Sequence, residues 1–81
     1  MNLVELTESL VKAVAEDKDS VKAKEFSSDN DEYTIIQVMI AESDMGRVIG
    51  KKGALANAIR TIVQASASLQ NKKVKINIDS Y

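Results

Sequence analysis

Residues 46–53 read Gly46-Arg47-Val48-Ile49-Gly50-Lys51-Lys52-Gly53. Ser43 or Asp44 can cap a short helical turn that runs to Ile49 and is interrupted by the glycines at 50 and 53. A long helix begins after the second of them. Two backbone positions without a Cβ let a sugar-phosphate chain approach closely. The free N–H groups and positive end of the following helix point at the same place. Lys51 and Lys52 add two cations. The segment therefore reads as an anion cradle between helices, with Val48 and Ile49 just ahead of it as apolar surface for a base.

Downstream, the helix is expected over residues 54–69, with Leu55, Ile59, Ile62, Ser66 and Leu69 on its core face. Asn71-Lys72 is the exit turn. Residues 73–79 alternate as a last strand, with Val74, Ile76 and Ile78 inward. Upstream, Asn2 caps an amphipathic helix over 3–16, with Glu5 placed to complete a capping box. Leu3, Leu6, Leu10 and Val14 are its apolar stripe. A strand at 21–26, a turn at Ser27–Asp31 and an apolar, β-branched strand at 33–40 predict a hairpin.

The order is α-β-β-α-α-β, an α+β fold. The long connection between the second and third strands allows them to lie parallel. A three-stranded mixed sheet with three helices on one face follows.

Eighty-one residues suffice for one domain, taken as 1–81, and leave no room for a deep catalytic cleft. No cysteine or histidine is present, so disulfides, the usual zinc ligands and the commonest bases and nucleophiles are missing. We expect no enzyme, no metal and no cofactor. A nucleotide-phosphate loop fails as well, because Gly46 to Gly50 is one residue short and Lys52 stands where Ser or Thr is required. The N-terminus lacks a secretory apolar run and nothing approaches a membrane span, so a soluble cytoplasmic protein is expected.

The net charge of −1 hides a division. Residues 1–46 hold four lysines against eleven acids, whereas residues 47–81 hold seven Lys or Arg against Asp79 alone. Such asymmetry suggests a basic surface for a polyanion. Phe26, Tyr33 and Tyr81 are scattered along the chain and predict no stacking platform, and Lys73 and Lys75 read as solvated lysines.

Val48-Ile49-Gly50-Lys51-Lys52-Gly53 resembles the V-I-G-x-x-G signature of the KH family, whose loop clamps about four nucleotides of single-stranded RNA. The likeness extends through Glu42-Ser43-Asp44 and Ala58–Val63. The helix-first order is similar to the type II, prokaryotic arrangement, and the size to small bacterial proteins of one KH domain. The resemblance implies that Gly50, Lys51, Lys52 and Gly53 clamp the backbone. It also implies that Val48, Ile49 and Ala56 line the groove floor, and that Arg47, Asn57 and Arg60 touch phosphates or base edges. Where the broader pattern favours a large aliphatic side chain, this sequence has Ala56, a shallower apolar contact. The implied partners are RNA and either a second copy or a second KH protein of the KhpB type (also called Jag or EloR). The implied role is that of an RNA chaperone or post-transcriptional regulator.

The long helix carries a single charge, Arg60, among its sixteen residues. Ala54, Ala58, Thr61, Ala65 and Ser68 share one of its faces. A face so small and uncharged suggests a contact surface, and an adaptor whose main task is pairing is the alternative reading.

Overall fold

Asn2 opens the first helix, α1 (Leu3–Val14), by accepting the backbone N–H groups of Val4 at 2.8 Å and Glu5 at 3.2 Å on its Oδ1. The computed structural model describes residues 2–29 and 32–81. α1 stops two residues earlier than its apolar spacing suggests, because Ala15 swings into extended backbone. Its buried positions are Leu3, Thr7 and Val11, with Leu6, Leu10 and Val14 packed at the margin. Thr7 is accommodated because its hydroxyl donates to the Leu3 carbonyl at 2.7 Å, leaving no unpaired polar atom in the core.

Strands β1 (Lys22–Ser27) and β2 (Thr34–Ile40) form the antiparallel hairpin, in register from Lys22 opposite Met39 to Ser27 opposite Thr34. Of the expected turn, Asn30 and Asp31 lie outside the described residues, and Ser27 belongs to the strand. The mouth is closed by the Ser28 N–H, which donates to the Tyr33 carbonyl at 3.0 Å. After a single 3₁₀ turn at Glu42–Asp44 come α2 (Met45–Ile49), a second 3₁₀ turn at Lys51–Gly53, and α3 (Ala54–Leu69). β3 (Val74–Ser80) then pairs parallel with β2, from Thr34 opposite Val74 to Ile40 opposite Ser80. The sheet order is β1-β2-β3, and the fold is the α+β arrangement with a mixed sheet that the element order predicts.

One face of the sheet makes the core. Ile36, Val38 and Ile40 of β2 and Val74, Ile76 and Ile78 of β3 are buried with Val11, Val21, Val48, Ile59 and Val63. Each such aliphatic side chain contributes about 1.5–3 kcal/mol through removal from water. The opposite face carries Lys22, Lys24, Phe26, Ile35, Gln37, Met39, Lys75, Asn77 and Asp79, and it stays open.

α3 has the expected bounds but buries a different stripe. Ala56, Ile59, Val63 and Ala67 face the core, while Ile62 is 46% exposed and Leu69 88% exposed. This helix is apolar on two sides, so periodicity alone does not say which side turns inward. The two buried alanines resolve it: a helix resting close on α1 and β3 needs small side chains at the contact.

Candidate nucleic-acid interface

The loop between α2 and α3 has a backbone that its sequence permits in few other forms. Gly50 sits at φ 77°, ψ 175°, and Gly53 at φ 77°, ψ 9°. A Cβ on Gly50 would lie 2.7 Å from the Leu55 Cβ and 2.9 Å from the Leu55 nitrogen, so glycine is required there both for conformation and for space. Lys52 is also left-handed, at φ 57°, ψ 27°. The Gly50 N–H closes onto the Gly46 carbonyl at 3.0 Å, and the Gly53 N–H onto the Gly50 carbonyl at 3.2 Å. These bonds make a tight corner that leaves Lys51 and Lys52 exposed. No acidic side chain stands in the first turn of α3 to neutralise them.

The remaining residues singled out by the sequence fall into three groups. Val48 and Ala56 are buried and Ile49 is partly buried against the core, so Val48 and Ala56 position the loop from beneath. Asn57 and Arg60 lie together on α3: the Arg60 Nη1 donates to Asn57 Oδ1 at 3.3 Å, and its Nε donates to the Ile76 carbonyl of β3 at 3.3 Å. Arg47 turns elsewhere, pairing with Glu16 at 3.2 Å and lying 3.8 Å from Asp44. Among the described residues the loop lysines, Asn57 and Arg60 thus have no carboxylate partner, whereas Arg47 is held by two.

Asp44 does not cap the helix that it precedes. Its buried carboxylate accepts the Glu16 N–H on Oδ1 at 3.1 Å and the Asp17 N–H on Oδ2 at 2.9 Å, tying the chain after α1 to the base of α2. The Asp17 and Glu16 N–H groups hold its carboxyl below the ordinary value of 3.8, with the Arg47 and Lys18 charges adding to the effect. A lowered folded pKa means that this tie is at full strength above the ordinary carboxylate range. The tie is lost as pH falls through the lower folded value. Asp44→Asn should lower the melting temperature at neutral pH, because one of the two N–H groups then meets an amide nitrogen. It should also flatten the acid limb, read as melting temperature against pH from about 2 to 7 by circular dichroism. Parallel curves for variant and wild type would show that the tie is unimportant.

A family model described as KhpA/KhpB, KH domain, matches residues 4–78. This chain belongs to the KhpA/KhpB KH-domain family. That family is not one of enzymes. Among curated relatives, the RNA-binding protein KhpA of Borreliella burgdorferi is 35% identical over 77 residues, covering 95% of this chain and 92% of that protein. The RNA-binding protein KhpA of Caldanaerobacter subterraneus subsp. tengcongensis is 39% identical over 74 residues, covering 91% and 96%. Among solved structures, Era in complex with MgGDPNP and nucleotides 1506–1542 of 16S ribosomal RNA matches with a TM-score of 0.68 at 17% identity. That match covers 96% of this chain and 29% of the Era chain, and it is a likeness of fold. The Gly50–Gly53 loop lies well inside the region that the KhpA/KhpB model matches. No helix among the described residues is long and apolar enough to cross a membrane.

Proposed function

We propose that this chain is a single KH domain over residues 1–81 that binds single-stranded RNA in the cytoplasm. The Gly50–Gly53 loop holds the backbone, and Asn57 and Arg60 contact phosphates or base edges. Ile49 provides apolar contact, Val48 and Ala56 support the groove from below, and Arg47 joins only by leaving its carboxylate partners. The observation that carries this reading is the loop: two exposed lysines on a glycine-bounded corner with no acid in the next helical turn. The names of the relatives agree with it. The test is fluorescence anisotropy with single-stranded and duplex RNA of the same sequence across a salt series. With about four phosphates held, log affinity should fall with log salt at a slope near −2 to −3, and duplex should compete poorly. Salt-independent binding or a preference for duplex would refute the clamp.

A second reading, pairing with another copy or with a second KH protein of the KhpB type, is supported by α3. Ala54, Ala58, Thr61, Ala65 and Ser68 are all exposed, and the exposed Ile62 and Leu69 lie beside them. Two helices can approach closely over such small residues, and the two large ones give the contact its apolar area. In this reading a paired protein holds two RNA segments and acts as an RNA chaperone or post-transcriptional regulator, gaining affinity through avidity. Thr61→Arg should abolish pairing while changing stability by no more than about 0.5 kcal/mol. Sedimentation across a concentration series, alone and with the second KH protein, measures it. Wild type that stays monomeric in both cases would leave α3 a solvated face.

A further inference from the structure

The three aromatic residues, far apart in sequence, lie on the open side of the sheet, and two of them, Phe26 and Tyr81, line one groove. Phe26 lies on β1, 52% exposed, in register with Ile35. Tyr81 follows β3, its N–H donating to the Ile40 carbonyl at 3.2 Å. Its side chain reaches back across the sheet to the segment before β1, where the hydroxyl donates to the Ser20 carbonyl at 2.7 Å. That bond fixes the ring in place and leaves it 65% exposed. Lys22, Lys24, Phe26, Gln37, Met39 and Tyr81 together line a groove of ≈ 380 Å³ with an almost wholly apolar interior. Tyr33 lies nearer the other end of β2, with the Lys75 ammonium 5.0 Å from its ring centre.

The charges on this face are one-sided. Lys22 and Lys24 stand on β1 and Lys75 on β3, with Lys73 just before it. Among the described residues of the strands Asp79 is the acid of the same face, and Glu8 of α1 lies near enough to interact with the Lys22 charge. Asp79 already accepts a bond from the Gln37 Nε2 at 2.8 Å. The chain as a whole carries −1, so the surplus of lysine here is local. It also combines the two halves of the sequence, since Lys22 and Lys24 belong to the acidic one.

We propose that this open sheet face is a second binding surface for single-stranded RNA, on which bases stack against Phe26 and Tyr81 while Lys22, Lys24 and Lys75 meet the phosphates. Flat aromatic surface next to lysines is the combination that holds single strands with little sequence preference, because every base has a π-face and every nucleotide a charge. A groove of this size suits one or two bases laid flat, their polar edges turned outward to water. An acidic protein segment would also satisfy the lysines. The fixed Tyr81 ring and the exposed Phe26 favour planar ligands over a flexible aliphatic anchor. The proposal shares its ligand class with the loop reading but none of its residues.

The test is built to separate the two sites. In a Lys51→Asp, Lys52→Asp background, an oligouridylate of about 12 nucleotides is titrated and followed by anisotropy and by amide chemical shifts. Residual binding is expected, with the shifts centred on Lys24, Phe26, Gln37 and Met39. Phe26→Ala should weaken it about tenfold, and Lys24→Glu, chiefly by reversing a charge, by a similar factor. In the wild-type loop background the same changes should lower affinity for long oligonucleotides and spare those of about four nucleotides. Residual binding that neither change weakens, or shifts confined to residues 47–60, would overturn the proposal. So would self-association that Phe26→Ala abolishes while RNA affinity stays constant, which would assign the face to a second copy. Loss of RNA binding by the loop variant together with unchanged long-RNA affinity in Phe26→Ala would leave the loop reading standing and this one refuted.

Discussion

Replacing both loop lysines, as Lys51→Asp with Lys52→Asp, should lower affinity for a short single-stranded RNA of about four nucleotides by about 100-fold or more. A charge-assisted hydrogen bond contributes about 1.5–3 kcal/mol, so losing two is already a factor of this size, and the introduced acids add repulsion. The fold should survive, because both side chains are exposed and, among the described residues, neither makes an ion pair or belongs to the core. Anisotropy measures the first effect and thermal unfolding by circular dichroism the second. A folded double variant with wild-type affinity for the short RNA would show that the loop is not the clamp.

Gly50→Ala should be among the most damaging single-methyl additions in the chain. It combines a backbone region essentially reserved for glycine with a Cβ placed 2.7 Å from that of Leu55. We expect a loss of about 3 kcal/mol or more, a drop in melting temperature on the order of 15 °C for a domain of this size, and loss of RNA binding. The other two glycines grade the effect. Gly53→Ala meets nothing closer than the Asn57 Nδ2 at 3.8 Å and bears only the left-handed backbone cost, about 1 kcal/mol. Gly46→Ala, on α2 with open space around it, should be neutral or slightly stabilising, since alanine is the better helix former. Any fall in RNA affinity for the stable Gly46→Ala protein would then mark a close approach of ligand to α2. Equal stability of the Gly50→Ala and Gly46→Ala proteins would contradict the loop geometry.

Most of the architecture was legible in local patterns because those patterns are unambiguous. Val74, Ile76 and Ile78 alternate with charged or polar neighbours and have one way to face a core. The β-branched run at Thr34–Ile40 suits only a central strand, and the glycine-bounded lysines mark a corner between helices. α3 misled because Leu55, Ile62 and Leu69 are larger and more apolar than Ala56 and Ala67. Size does not by itself report burial, because close approach to α1 and β3 selects for small side chains. The position of Asp44 allows a local cap, as does that of Ser43, yet Asp44 bonds elsewhere. Its partners, Glu16 and Asp17, are distant in sequence, and no local signal reports such a bond. The aromatic groove is hidden for the same reason: Phe26 and Tyr81 come to line it together only when the sheet assembles.

The parallel pairing of β2 with β3 has a consequence for the order of assembly. Every pair in that register is separated by forty residues, from Thr34 with Val74 to Ile40 with Ser80, whereas the β1–β2 hairpin closes over a short turn. Contacts so distant form late and slowly, because the intervening chain must be ordered before they reward it. The lysine loop lies inside that span, and Arg60 is anchored to a carbonyl of β3. Without β3 the sheet would be reduced to a two-stranded hairpin, which is marginal alone, and the lysine corner would have no third strand to brace it. If the corner holds RNA as proposed, its affinity should depend on the last strand being in place, because that strand supplies the carbonyl to which Arg60 is bound.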